Sequence, residues 1–232
     1  MLFRSPDNKL IRYFGTGPLP ENLKQGAPVG ITRVFESRGV NDTTGVYQFL
    51  DSHGNFTTTP NTATDFRGIV NTAFPRLYGG LENTFRYGNI GLTIFLQFVK
   101  SVAPNNALGQ PPGPGYRFTN QPLTVLGRWQ KRGDIATVER YSSDLSLNGS
   151  FEAEQQSTAG YSDASYVRLK NIVVDWQASP RILRTLRVKD LKWFADAQNL
   201  LALTRFHGFD PETGNNVLPQ LRMITTGVQI SL

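Results

Sequence analysis

The sequence predicts an all-β fold made of antiparallel strands from a large transmembrane β-barrel with long extracellular loops. The first observation is a strict two-residue alternation after Arg222, where Ile224, Val228 and Ile230 share one face of a strand. The second is that no apolar run approaches the roughly 18 residues that a spanning helix needs, which leaves strands of about 9 to 11 residues. The third is that long and short connections alternate between the predicted strands, as they do in outer-membrane barrels.

A hairpin is predicted between residues 76 and 100. Apolar and polar residues alternate from Leu77 onward and again from Ile90 onward, with Gly88 and Asn89 between the two runs. Glycine adopts positive φ at little cost, so this dipeptide is typical of a two-residue turn. In the barrel interpretation the apolar side of these strands and of the last one meets lipid; the residues concerned are Leu77, Leu81, Phe85, Ile90, Leu92, Ile94, Val228 and Ile230.

A β-bulge is predicted near Lys170 and Asn171. Between residues 165 and 177 the apolar set changes parity, from Val167 and Leu169 to a set that begins at Ile172. One extra residue moves the following side chains to the other face of a strand, which explains the change. The next strand is predicted over residues 191–203, after a connection of moderate length.

Three connections are long, over residues 15–74, 101–163 and 205–221. If successive strands alternate in direction, all three lie at one end of the sheet and the short turns lie at the other. This asymmetry is typical of outer-membrane barrels.

Composition excludes several classes of function. The 232 residues have a formal charge of +6, but Lys and Arg are spread along the chain without a basic run, so no nucleic-acid partner is expected. The absence of cysteine removes disulfides and thiolate metal sites. His53 and His207 lie in predicted loops without a Ser/His/Asp order or zinc spacing, so no enzyme activity is expected.

Two acidic segments are expected to serve local structure. Residues 51–55 begin like a calcium loop, but His53 and Thr62 stand where such a loop needs acidic ligands. Asp51 is therefore predicted to cap a turn, and Asp210 to bond its own backbone in a turn that contains Pro and Gly. We expect no metal ion and no cofactor.

Five motifs occur in order along the chain and are followed by the alternating terminal strand. They are PRLYGGLENTF at 75–85, RWQ at 128–130 with GDI at 133–135, SYVRLKN at 165–171, AQNL at 197–200 and GFDPE at 208–212. With these motifs the chain, from about residue 25 onward, resembles the C-terminal part of SusC/RagA-like TonB-dependent outer-membrane transporters. Leu232 departs from the resemblance, because members commonly end in an aromatic residue.

The resemblance implies that residues 1–232 are the C-terminal portion of a receptor barrel, with the plug domain and the N-terminal barrel strands absent. It implies residence as a multi-pass barrel in the outer membrane of a Gram-negative bacterium. It also implies active import of oligosaccharides or peptides with a SusD-like surface lipoprotein, driven through TonB by the missing N-terminal part. By itself the portion is expected to transport nothing.

Candidate site residues fall into two groups. Aromatic and basic residues in the loop over residues 101–163 are candidates for stacking on sugar rings or contacting a peptide; they are Tyr116, Arg128, Trp129, Arg132 and Tyr141. The alternative is that these aromatics pack the loop against its neighbours or mark the interfacial girdle. Polar residues of the strands are candidates for facing the lumen; they are Glu82, Arg86, Lys192 and Asp196.

Two other architectures remain open from the sequence. A soluble or surface-attached all-β carbohydrate-binding module requires the apolar strand residues to pack in a closed core. A small complete barrel requires two more strands within residues 15–74, where residues 29–35 and 45–50 are the candidates.

Overall fold

The structure is a computed structural model that describes residues 1–17, 19–20, 22–72, 74–105, 113–115, 120–144, 148–214 and 217–232. Strands dominate it. In chain order the strands and α-helices are β1 (Leu2–Arg4), β2 (Ile31–Val34), β3 (Glu36–Val40), β4 (Tyr47–Leu50), β5 (Phe56–Thr57), β6 (Gly68–Asn71), β7 (Leu77–Tyr87), β8 (Ile90–Lys100), β9 (Val102–Pro104), α1 (Asn148–Gln155), β10 (Tyr161–Asp163), β11 (Tyr166–Gln177), α2 (Pro180–Leu186), β12 (Asp190–Thr204) and β13 (Met223–Ser231). Short 3₁₀ turns lie at Leu123–Gly127 and Thr158–Gly160.

Six strands form one open antiparallel sheet in the order β1, β7, β8, β11, β12, β13. The predicted hairpin is confirmed, because Tyr87 pairs with Ile90 across Gly88 and Asn89. Gly88 has a φ of 56°, the left-handed region that favours glycine. Among the described residues, none of the helices combines the length and the apolar character needed to cross a membrane.

The predicted bulge is confirmed at Lys170. Leu169 pairs with Leu96 and Asn171 pairs with Phe95, so Lys170 is an extra residue against β8. The pairing of β11 with β12 shifts at the same place. The bulge brings the apolar residues on both sides of it to one face of the sheet.

Directly paired residues of neighbouring strands lie on the same face of the sheet, so the register assigns every strand residue to one of two faces. One face is apolar, and the other carries most of the polar residues. Lys100 is the single charged residue of the apolar face in the described strands. The large residues of the apolar face are Phe3, Leu77, Leu81, Phe85, Tyr87, Ile90, Leu92, Ile94, Leu96, Phe98, Val167, Leu169, Ile172, Val174, Trp176, Leu191, Trp193, Leu201, Leu203, Ile224, Val228 and Ile230.

The three long connections lie at one end of the sheet, as predicted, which we call the loop end. The first connection leads into β7 at Leu77, the second leaves β8 at Lys100 and leads into β11 at Tyr166, and the third leaves β12 at Thr204. The strand pairing places these four ends side by side. At the other end lie the two-residue turn and the connection that contains α2. Helix α2 was not predicted from the sequence, because seven residues give too short a periodic pattern; Pro180 at its first position is the signal.

The loops carry a small core of their own. Two short sheets, β2 with β6 and β3 with β4 and β5, pack with α1 into what we call the loop module. Its buried cluster consists of Phe35, Tyr47, Phe49, Phe151 and Ala153. The strands predicted within residues 29–35 and 45–50 are β2 and β4, but both stay in the short sheets. The small complete barrel therefore lacks the two extra spanning strands that it requires.

Two phenylalanines on the polar face lie over glycines of the neighbouring strand. A Cβ at Gly227 would approach the Phe194 ring to 2.7 Å, and one at Gly80 would approach the Phe95 ring to 2.6 Å. Each phenylalanine ring therefore lies over the backbone of a glycine, where no side chain prevents the close approach. This packing accounts for Phe95 and Phe194 on the polar face, which also carries Tyr78, Val99 and Val173.

We expect Gly227→Val to destabilise the sheet by about 1–3 kcal/mol, because the new side chain displaces the Phe194 ring. Thr225→Val, on the same face of β13, is the matched control and should cost less. Denaturant unfolding of the protein in detergent micelles measures both. Equal stability of the two variants would show that the ring does not depend on Gly227.

Candidate functional site

The four candidate lumen-facing residues all lie on the polar face. Glu82 and Arg86 are on β7, whereas Lys192 and Asp196 are on β12. Two strands separate β7 from β12 in the sheet order, which puts the two pairs about 14 Å apart at the usual strand spacing. The structure thus brings these residues to one face but does not gather them into one cluster.

Several buried oxygens of the polar face have no hydrogen-bond partner among the described residues. They are Oε1 of Gln97, Oδ1 of Asn171 and Oδ1 of Asp196. Asn171 is paired with Gln198 in the register, and Gln198 donates to the other carboxylate oxygen of Asp196 at 3.1 Å. A buried acceptor without a donor is unfavourable, so this part of the face is suited to contact water or another polar segment.

A buried ion pair fastens the loop over residues 205–222 to the sheet. Arg168 of β11 donates through one terminal nitrogen to both carboxylate oxygens of Asp210, each at 2.7 Å. The two residues are 3% and 5% exposed. The backbone N–H of Glu212 also donates to Asp210 at 2.8 Å, which confirms the predicted local role of Asp210 in its turn.

The bulged residue Lys170 adds a second contact to the same loop. Its ammonium group lies 3.0 Å from a carboxylate oxygen of Glu212 and 2.8 Å from the side-chain oxygen of Gln220. Burial by itself would raise the pKa of Asp210, but the hydrogen bonds from Arg168 and from the backbone outweigh it and hold this pKa below its usual value. The Asp210 carboxylate therefore stays ionised at neutral pH and holds the loop to Arg168.

The candidate loop residues are only partly brought together. The Arg128 guanidinium lies 5.4 Å from the centroid of the Tyr141 ring, and that ring is 56% exposed. Trp129 instead packs on Gly45 and donates its ring N–H to the carbonyl oxygen of Asp42 at 2.9 Å. Arg132 is exposed in the following turn, and Tyr116 lies outside the described residues.

Two buried carboxyl groups in the loop module were not found by sequence reasoning. Glu139 is 4% exposed and accepts a hydrogen bond from the Ser150 hydroxyl at 2.7 Å. Glu154 is 3% exposed and accepts from the Ser37 hydroxyl at 2.8 Å. Neither has a salt bridge among the described residues. Burial, as the largest cause, raises the pKa of Glu139 to about 7 and that of Glu154 to about 6.

The calcium-like segment is a turn in the structure. Asp51 accepts hydrogen bonds from the backbone N–H groups of His53 and Asn55, both at 2.8 Å, which confirms the predicted cap. Within the described part of the chain, no three His, Asp or Glu residues are placed to hold a metal ion together.

Comparison with known proteins gives one curated relative and several solved structures. The sequence is 26% identical over 167 residues to TonB-dependent receptor P3 of Formosa agariphila. The aligned region covers 70% of this chain and 15% of the relative. The structure matches the RagAB peptide transporter with a TM-score of 0.73 and 21% identity, over 91% of this chain and 24% of that one. It matches the RagAB peptide importer in its closed-closed state with a TM-score of 0.71 and 22% identity, over 94% and 25%. No family model matches the chain.

The resemblance to TonB-dependent receptors and RagA-like transporters is confirmed by these matches, and so is the all-β antiparallel fold. The similar proteins are a receptor and transporters, in agreement with the expectation that the chain is not an enzyme. The chain spans only about a quarter or less of their lengths.

We expect the loop module to lose stability as the pH rises from about 4.5 to about 7. Folded Glu139 and Glu154 have raised pKa values, so the folded state keeps protons that the unfolded state releases across this range. Glu139→Gln mimics the protonated form and should remove most of its share of the pH dependence. Amide hydrogen exchange of residues 148–155 at pH 5 and pH 8, corrected for intrinsic rates, is the measurement.

The variant Glu36→Gln, at a partly exposed position of the same module, is the matched control and should leave the pH profile unchanged. A Glu139→Gln profile as steep as that of the unmodified protein would contradict the assignment.

Proposed function

We propose that this chain forms part of the barrel wall and the extracellular loops of an outer-membrane active transporter. It is the C-terminal portion of the receptor barrel, and a plug domain and the remaining strands complete the transporter. The observation that carries this proposal is the apolar face, which continues across six antiparallel strands and contains one charged residue.

The apolar face is suited to lipid because it is left uncovered. Phe85, Val228 and Ile230 are between 57% and 59% exposed. β7, β8 and β11 have 11 or 12 residues, close to the about 9 to 11 that a tilted strand needs to span a bilayer. An uncovered apolar surface of this size in water is a strong aggregation hazard, whereas in a membrane it is the expected exterior.

Aromatic residues mark one border of the apolar face. Trp176 pairs with Trp193 on one side and with Ile90 on the other, and Ile90 pairs in turn with Tyr87. These residues form one row across the sheet, at the end with the short turns. Trp and Tyr favour the interface between lipid and water, so this row supports a membrane boundary there.

The soluble carbohydrate-binding module is not favoured by the same observation. It requires the apolar strand residues to pack in a closed core, but the buried cluster of the described residues is in the loop module and contains none of them. Trp129, one of the loop aromatics that such a module would use, is engaged by Gly45 and Asp42.

The loop end is the surface that would receive substrate and a SusD-like lipoprotein, while TonB would act through the rest of the protein. The solved neighbours are described as a peptide importer and a peptide transporter, so peptides are the first substrate class to test, ahead of oligosaccharides. Arg128 and Tyr141 are the loop candidates whose contact leaves an aromatic ring exposed.

We expect Ile94→Lys to impair membrane insertion, since a lysine facing lipid near the middle of a strand costs about 2–4 kcal/mol. Thr93→Lys, on the adjacent polar face, is the matched control and should insert normally. Heat-modifiable migration of outer-membrane fractions reports the inserted fraction. If both variants insert equally well, the apolar face does not contact lipid.

We expect the double variant Arg128→Ala/Tyr141→Ala to weaken substrate binding about tenfold, because it removes both the stacking ring and its cation. Lys131→Ala, in the neighbouring exposed turn, should bind normally. Calorimetric titration with short peptides and with oligosaccharides of similar length tests both classes. Unchanged affinity for the class that binds would remove this pair from the substrate site.

A further inference from the structure

An open cavity of about 650 Å³ lies at the loop end of β8, β11 and β12. Its wall includes Phe98, Val167 and Leu203. Val167 pairs with Phe98 on one side and with Leu203 on the other, so the three form one row across the apolar face. Val167 and Leu203 are 42% and 61% exposed. The row therefore forms a continuous apolar floor on the apolar face of the sheet.

Two basic residues line the same cavity beyond this floor. Lys100 ends β8 on the apolar face, and Arg205 follows β12 by one residue. Both are exposed, and neither side chain forms a hydrogen bond or an ion pair within the described part of the chain. Asp163 also lines the cavity, and its carboxylate accepts a hydrogen bond from the backbone N–H of Ser165 at 2.9 Å. The hydrogen bonds with Ser165, together with electrostatic attraction to Lys100 and Arg205, hold the pKa of Asp163 below its usual value, so one carboxylate faces the two cations. The cavity rim thus keeps a net positive charge.

We propose that this cavity binds a phosphorylated lipid of the outer leaflet, with its phosphate between Lys100 and Arg205 and its acyl chains over Phe98, Val167 and Leu203. The inference rests on the proposed function, which places the apolar face in the membrane. It goes further by assigning a specific lipid site to one part of that face.

The arrangement matches the chemistry of such a lipid in two respects. Cations at the edge of an apolar surface attract an anionic headgroup, and their long side chains reach the headgroup level. The apolar floor begins immediately below them, where acyl chains would start. Neither free phosphate nor a neutral lipid would use both features. At the opposite end of the same face the border is made by Trp176, Trp193 and Tyr87, which suit an interface without requiring an anion.

The test uses the protein purified from outer membranes in detergent and stripped of lipid. It is incubated with diphosphorylated lipid A, and the lipid retained is counted by native mass spectrometry. We expect the double variant Lys100→Gln/Arg205→Gln to retain about tenfold less lipid A than the unmodified protein. Arg181→Gln/Arg184→Gln removes the same charge from α2 at the other end and should retain a normal amount.

Further arms separate the sources of binding. We expect dephosphorylated lipid A to be retained poorly and inorganic phosphate at the same concentration not to displace lipid A. Equal retention by both double variants, full retention of the dephosphorylated lipid, or displacement by phosphate would each overturn the site. If one of these results is obtained with protein that is found in the outer membrane, it contradicts only the lipid site. If the unmodified protein is absent from the outer membrane, that result contradicts the proposed function itself.

Discussion

The register of the six-stranded sheet is the constraint on which the other features depend. A strand alternates its side chains between two faces, so a slip of one residue moves its apolar residues to the polar face of the sheet over its whole length. In β11 the sequence itself contains such a slip. Lys170 is extra against β8, and without it Ile172 and Val174 would point to the polar face. The bulge therefore keeps a single apolar surface through a strand whose residue pattern is discontinuous.

The same bulge also connects the sheet to the loops. The bulged residue, Lys170, lies two residues after Arg168, and both cations form ion pairs with the loop over residues 205–222. The Arg168 Nε atom lies 3.3 Å from Glu212, close enough for ionic attraction but without a hydrogen bond. Removing one partner of a buried pair leaves an uncompensated charge, which commonly costs about 3–5 kcal/mol. The position of the loop is thus set by the sheet, through the ion pairs of Arg168 and Lys170.

The sequence was sufficient for features that repeat every two residues and for features that need a particular residue type. It predicted the hairpin at Gly88, the bulge at Lys170, the common end of the long connections and the local roles of Asp51 and Asp210. It did not predict features that join distant segments. Glu139 and Glu154 are 15 residues apart in sequence and lie in the module only because β3, β4 and α1 pack together. Likewise, the sequence did not show that Trp129, a candidate for substrate contact, packs on Gly45, which lies more than 80 residues earlier.

The two edges of the sheet are incompletely paired. β13 pairs only with β12, and β1 covers β7 only along residues 78–80. The remaining edge N–H and C=O groups of both strands have no strand partner among the described residues. Each such group would cost several kcal/mol in lipid, where water cannot replace the missing hydrogen bond. In the proposed membrane setting, the open sheet is therefore stable only when further strands complete the pairing. This requirement agrees with the structural match, which covers about a quarter of a larger transporter.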